Sequence, residues 1–394
     1  MSLTPVHSPA PLALGVSLAV AAALLASIWW LSGADSESQA LSLSLIGGTL
    51  FGFLLQRSRF CFFCVTRDFI EQRKPDGLLG ILAALAVGSL GYHAVFGAFL
   101  PDPLVGRLPP DAHVGPLSWV LGLAATLFGI GMAISGSCIS AHLYRLGEGA
   151  FASLFALAGA LIGFALGFMI WNPLYLASIQ SAPVVWMPAW HGYGVSFLLQ
   201  SVVLGALAWW LLGHRRQVTA DQPAASGLRQ LLFGRRWPTW VGGVLIGFLA
   251  TLAYLRVGPL GVTAELGSVA RTAADGIGLL PERLDGLDGF AGCATVVKDA
   301  LLSNNGLFVL GLVAASFASA LVAGDFQPRR PAASELLRNL VGGVLLGFGS
   351  MLALGCTVGT LLSGVMAGAL SGWFFGLFCL AGIGLGLVVR RFWP

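Results

Sequence analysis

Gly342-Gly-Val-Leu-Leu-Gly-Phe-Gly-Ser-Met-Leu-Ala-Leu-Gly-Cys356 decides how this chain is read. A glycine-punctuated apolar run halts at one cysteine, and a second apolar run resumes behind it. The same design stands at Gly131-Met-Ala-Ile-Ser-Gly136-Ser-Cys138, and a third cysteine, Cys61, closes Gln56-Arg-Ser-Arg59-Phe-Cys61. Apolar helices broken by glycine and a polar atom at membrane depth are how transporters build binding sites. One cysteine in such a run is ordinarily a small packed hydrophobe. Three in equivalent turns point to a site.

The opening phrase of that stretch recurs as Gly47-Gly-Thr-Leu-Phe-Gly-Phe53 and Gly242-Gly-Val-Leu-Ile-Gly-Phe248, with a looser copy at Leu127-Phe-Gly129-Ile-Gly131. Four related units therefore begin near residues 41, 117, 238 and 338. Hydrophobic residues make up 57% of the chain and charged ones 10%, against about 25% charged in a soluble domain. The 54 glycines suit close helix packing. Apolar stretches long enough to span a bilayer lie at about Pro11–Leu31, Leu41–Gln56, Leu78–Leu100, Leu117–Ser135, Ala150–Trp171, Tyr193–Leu212, Trp237–Leu255, Gly306–Ala323, Leu337–Leu354 and Ser371–Val389. The first is read as a retained helix rather than a signal peptide, because no Lys or Arg precedes it and no clean small-residue cleavage site follows.

Charge placement sets the orientation. Arg67, Arg73 and Lys74, the 214–236 stretch, the 325–338 loop, and Arg390 with Arg391 all fall on one side. The cation-free 32–39 and 172–192 loops, and the net acidic 256–305 connection, fall on the other. Basic loops mark the cytoplasm, so both termini are expected inside. The first and third units then enter from opposite faces. The expectation is an all-α polytopic membrane protein of about ten spans, an inverted-repeat transporter with broken or re-entrant helices. Residues 1–40 add an N-terminal helix, 41–213 form the first half with a connecting helix, 214–237 a cytoplasmic linker, and 238–394 the inverted second half.

A protonated thiol in a dry passage is a weak donor and a polarisable acceptor, suited to a soft sulfur ligand. The helix that restarts after each cysteine offers free N–H groups and a positive dipole end to an anion. Together these describe a site for a sulfur-containing anion at Cys61, Cys138 and Cys356. Arg59 and Arg145 stand beside the turns as cations that attract the anion or form ion pairs. In register with Cys61, the third unit carries Arg256. Cys64 reads as a packing residue, although Cys61-Phe-Phe-Cys64 leaves a thiol–disulfide oxidoreductase open as an alternative. Cys293, in the outside loop, and Cys379, in the last helix, read as structural, and His93 and His142 as hydrogen-bonded helix residues. No metal set, nucleotide-binding loop or cofactor motif appears, so neither an enzyme nor a nucleic-acid binder is expected.

At these residues the chain resembles the YeeE/YedE family of bacterial sulfur-compound transporters. The resemblance is carried by Gln56-Arg-Ser-Arg-Phe-Cys61-Phe-Phe-Cys-Val-Thr-Arg67-Asp68, by Gly136-Ser-Cys138 with Tyr144-Arg145-Leu-Gly147-Glu148-Gly149, and by the stretch from Gly342 to Cys356. It implies an inner-membrane importer that passes thiosulfate, or another sulfur or selenium species, between three thiols without covalent capture. It also implies a TusA-like sulfurtransferase receiving the substrate in the cytoplasm. This chain departs from the family's Gly-Gly-Cys turns, with Gly-Ser-Cys at 136–138 and Leu-Gly-Cys at 354–356, and Cys64 is an additional thiol.

Overall fold

The computed structural model describes residues 11–33, 35–214, 230–234, 236–287, 295–298 and 302–392. After α1 (Pro11–Leu31), four units repeat one design of long helix, break, short helix and long helix. The first comprises α2 (Ser36–Ser58), α3 (Phe62–Gln72) and α4 (Asp76–Phe99), and the second α5 (Trp119–Ser135), α6 (Ile139–Gly147) and α7 (Ala152–Met169). A connection through α8 (Trp171–Leu174) and α9 (Pro188–Leu212) leads to the third, α10 (Thr239–Arg256), α11 (Val262–Gly276) and α12 (Asn304–Ala323). The fourth is α13 (Ala333–Leu352), a π-turn over Thr357–Ser363 running into α14 (Gly364–Met366), and α15 (Leu370–Phe392). Ten helices among the described residues are long and apolar enough to cross a membrane. There is no strand among those residues, only two isolated bridges. This is an all-α polytopic membrane protein.

The repeated glycine phrase explains the packing. Its second and third glycines sit one turn apart on the same helix face, where a Cβ would run into the backbone of a partner helix. Gly48 and Gly52 of α2 meet Phe308 and Leu312 of α12. Gly243 and Gly247 of α10 meet Gly80 and Ala84 of α4, and Gly343 and Gly347 of α13 meet Ala156 and Ala160 of α7. In the looser copy both helices supply a glycine, Gly129 of α5 meeting Cys379 and Ile383 of α15 and Gly382 of α15 meeting Thr126 of α5. The four dominant helix pairs are therefore α2 with α12, α10 with α4, α13 with α7, and α5 with α15. The first long helix of each unit lies against the second long helix of its counterpart in the other half. Small residues that let backbones touch replace the hydrophobic drive that lipid removes.

Two helices are peripheral. Of these, α1 lies on α12 and α2, its Ser17 hydroxyl donating to Ala318 O (3.0 Å) and its Ile28 carbonyl accepting from Ser42 (3.2 Å). Helix α9 lies on α4 and is irregular at Gly192 (φ 73°), so its regular span starts at Tyr193, as the sequence indicates.

Two expectations need correction. The 256–305 connection is not all loop, for it holds α11. Arg256 is not the counterpart of the cysteines: α10 continues to Arg256, and the short helix begins six residues later, at Val262 behind Gly261. The linker expected over 214–237 falls largely outside the described residues, as does Cys293.

Candidate functional site

Each of the three cysteines stands at the start of a short helix, immediately after a break that the sequence builds with left-handed backbone. Helix α2 ends at Arg59 (φ 51°), α5 at Gly136 (φ 83°), and α13 leads into Leu354 (φ 56°) and Gly355 (φ 154°). Glycine takes such angles freely, whereas Arg59 and Leu354 hold them at a cost of about 1–2 kcal/mol each. Cys61 then caps α3, its sulfur accepting from Cys64 N–H at 3.5 Å. Cys356 caps the π-turn, accepting from Val358 N–H at 3.4 Å. Cys138 occupies the same place on α6 with no side-chain cap bond. In the third unit the equivalent place is Gly261.

The fold brings two of the thiols together: Cys61 Sγ and Cys138 Sγ are 3.9 Å apart, both buried, from residues 77 positions apart in the chain. Cys356 joins them less directly. A small cavity of about 10 Å³, the space of roughly one water, is lined by Cys138, Phe60, Phe62 and Ser140, and by Thr357 and Val358 just past Cys356. That volume is well below what a polyatomic anion needs. Ser140 is buried at 2% exposure and its hydroxyl has no partner. A buried hydroxyl left unpaired costs about 1–3 kcal/mol, so a donor is held ready beside Cys138.

The cations divide between the two roles allowed for them. Arg59 pairs with Glu148 at 3.2 Å, and Gln56 donates to the same carboxylate at 3.2 Å and to Asp325 at 2.9 Å. Buried Arg57 pairs with Asp325 (3.4 Å) and donates to the Leu232 and Phe233 carbonyls, tying the 230–234 segment to the end of α2. Arg145 instead donates to Gly136 O at 3.3 Å and to the Cys64 sulfur at 3.2 Å. The proximity of Arg145 and Glu148 in the motif is thus not an ion pair, because Glu148 is taken by Arg59. Nor is Cys64 merely packing.

Among the remaining expectations, His142 lies between Ser153 Oγ (3.2 Å) and Ser135 Oγ (3.1 Å), and His93 on Ser89 O (2.8 Å). Both are hydrogen-bonded helix residues. Cys379 is buried inside α15. Sequence reasoning missed Ser140 and the Arg59–Glu148 pair. Ser140 stands two residues past Cys138, off its helical face, so no periodicity in the sequence singles it out.

Comparison with known proteins identifies the family. The family model for sulphur transport matches residues 57–385. A thiosulfate transporter TsuA of Escherichia coli K12 is 29% identical over 350 residues, covering 86% of this chain and 91% of that protein. A thiosulfate transporter TsuA of Spirochaeta thermophila is 27% identical over 349 residues, covering 86% and 95%. The probable transporter YedE of Escherichia coli K12 is 32% identical over a 74-residue stretch, 18% of each chain. With the family match reaching from the first helix break into the last helix, this chain belongs to the sulphur-transport (YeeE/YedE) family.

Proposed function

We propose that this chain imports thiosulfate, or a closely related sulfur anion, through the inner membrane along the protonated thiols of Cys356, Cys138 and Cys61. The carrying observation is the 3.9 Å approach of the Cys61 and Cys138 sulfurs across two helix breaks. A sulfur-terminated anion handed between them exchanges one soft contact for another and never needs a covalent bond. Ser140 and Arg145 then serve its oxygens.

Topology follows from charge. The halves 41–213 and 238–394 act as inverted copies behind an additional helix at 1–40, joined by the 214–237 linker, with both termini in the cytoplasm. The exchange of long helices between counterpart units supports that relation, as does the sidedness of the basic loops. Bringing a dianion inward against about −100 mV costs roughly 4.6 kcal/mol. Removal by a TusA-like sulfurtransferase at the cytoplasmic mouth supplies the drive.

The test is thiosulfate-dependent growth and initial uptake in cysteine-auxotrophic cells lacking sulfate transport. The unaltered chain is expected to support growth. Failure to do so overturns the substrate. Full growth with Cys138 and Cys356 both replaced by serine, and loss on replacing Cys64 alone, would turn the reading toward a thiol–disulfide oxidoreductase.

A further inference from the structure

Cys64 stands apart from the other described thiols. Cys61, Cys138, Cys356 and Cys379 are buried, whereas Cys64 is half-exposed one helical turn beyond Cys61 on α3. Its sulfur accepts from Arg145 Nη2 at 3.2 Å. Arg390, from the end of α15, reaches the same place: its Nη1 lies 3.9 Å from where a Cβ on Gly136 would stand, and Gly136 O is the other acceptor of Arg145. Cys64 is within electrostatic reach of Arg145, Arg67 and Arg390, and Arg390 is in turn within reach of Arg338.

The balance of charge there is uneven. Arg67 is neutralised by Asp68 at 2.7 Å. Glu71 is the other carboxylate in reach of Arg67 and Arg390, and it forms no ion pair among the described residues. Arg145, Arg390 and Arg338 have no carboxylate partner among the described residues. Like charges drawn together around a polarisable thiol make a place of high anion potential. Thr357 and Cys138 line one small cavity, and contacts run on from Cys138 through Cys61 to Cys64 and Arg145, so this place terminates the line of sulfurs.

We propose that Cys64, Arg145 and Arg390 form a fourth binding station, where a sulfur oxyanion leaving the Cys61–Cys138 pair rests with its sulfur on the Cys64 thiol and its oxygens on the two guanidiniums. This rests on the transport reading given above, and it adds a station that the three-cysteine path does not contain. Binding is non-covalent and releases no group. The arginines hold the anion at the mouth until an acceptor takes it.

The test labels Cys64 in the full chain in membrane vesicles, in a Cys293→Ser background, with an anionic and a cationic methanethiosulfonate reagent of similar size. Cys64→Ser must abolish the labelling. Thiosulfate is expected to slow labelling of Cys64 at least about threefold, and Arg390→Gln to lower the anionic-to-cationic rate ratio about tenfold. Arg390→Lys, which keeps the charge, should restore most of that ratio. Absence of either the protection or the ratio change overturns the station. Thiosulfate uptake by the unaltered chain is measured in parallel. Uptake without protection sinks the station alone, whereas protection without uptake sinks the transport reading and leaves the station standing.

Discussion

Replacing each path cysteine by serine separates sulfur chemistry from folding, because the three positions make different demands on the side chain. At Cys61 and Cys356 the sulfur accepts a backbone N–H of its own short helix, at 3.5 and 3.4 Å. Serine is a strongly preferred cap and can accept the same bond, so Cys61→Ser and Cys356→Ser should leave stability within about 0.5 kcal/mol. Cys138 makes no cap bond, and a serine there buries a hydroxyl facing a weak sulfur acceptor, at a cost of about 1 kcal/mol. Transport responds differently. A hydroxyl in place of the soft S–H contact changes the hold on the passing anion by about 0.5–1.5 kcal/mol, so each variant should lower initial thiosulfate uptake by roughly threefold to tenfold. Because Cys61 and Cys138 share one contact at 3.9 Å, their effects should not multiply: the double variant should fall little below the worse single one. Uptake of labelled thiosulfate, normalised to folded protein by detergent thermal melts, reads both quantities. Wild-type uptake by a folded Cys138→Ser protein would refute the reasoning, as would a Cys61/Cys138 double variant whose loss equals the product of the singles.

Three further outcomes follow from single residues. Ser140→Ala removes an unpartnered buried hydroxyl, so melting temperature should hold or rise while the KM for thiosulfate increases about threefold to tenfold; a fall in stability with unchanged KM would make Ser140 structural. Gly347→Ala drives a Cβ into the Ala160 backbone of α7 and should cost about 1–3 kcal/mol, whereas Gly384→Ala in α15, with open space around it, should be neutral or slightly stabilising; equal melts for the two would contradict the packing. Burial pushes His113, in the segment between α4 and α5, down to about 4, while the unfolded chain titrates near 6.5. The unfolded state therefore binds the extra proton as pH falls, and stability that is complete above about 6.5 is lost toward 4 by about 3 kcal/mol. Melts from pH 7 to 4 should show a slope that His113→Asn flattens; an unaltered slope would assign it to other groups.

The long helices were legible because each is an apolar run bounded by charge or glycine, and the glycine phrase marked four of the packing faces. Helix α11 was not. Val262–Gly276 carries Glu265, Arg271 and Asp275 beside a narrow buried face of Val262, Ala264, Gly267, Ala270 and Ala274, so its hydropathy resembles that of a connection. Arg256 misled for a related reason. Counting from the glycine phrase places it level with Cys61 and Cys356, but register along one helix says nothing of where the next begins, and α10 simply runs further before it breaks. The Arg59–Glu148 pair and the Cys61–Cys138 approach join residues 89 and 77 positions apart. Only the folded packing of α2 on α6 reveals them.

The capping geometry supplies a reason for cysteine at these breaks beyond softness. A thiol has one hydrogen to donate, and where its sulfur accepts a helix N–H that hydrogen is left for a partner outside the helix. Cys61 and Cys356 are in this state, so each presents its S–H as a donor while its helix end adds favourable potential for an anion. Serine would cap as well but would donate to hard oxygen, retaining an anion through the charge-assisted bond that makes such contacts strong. A passage needs each stop to be favourable enough to enter and weak enough to leave. On the proposed path capped thiols meet both conditions, and Gly261 at the third break leaves the third unit without a stop. Introducing Gly261→Cys should then add a stop off the path: the thiol should form without loss of fold, and uptake should stay unchanged or decline. A rise in uptake would show that the third break already conducts.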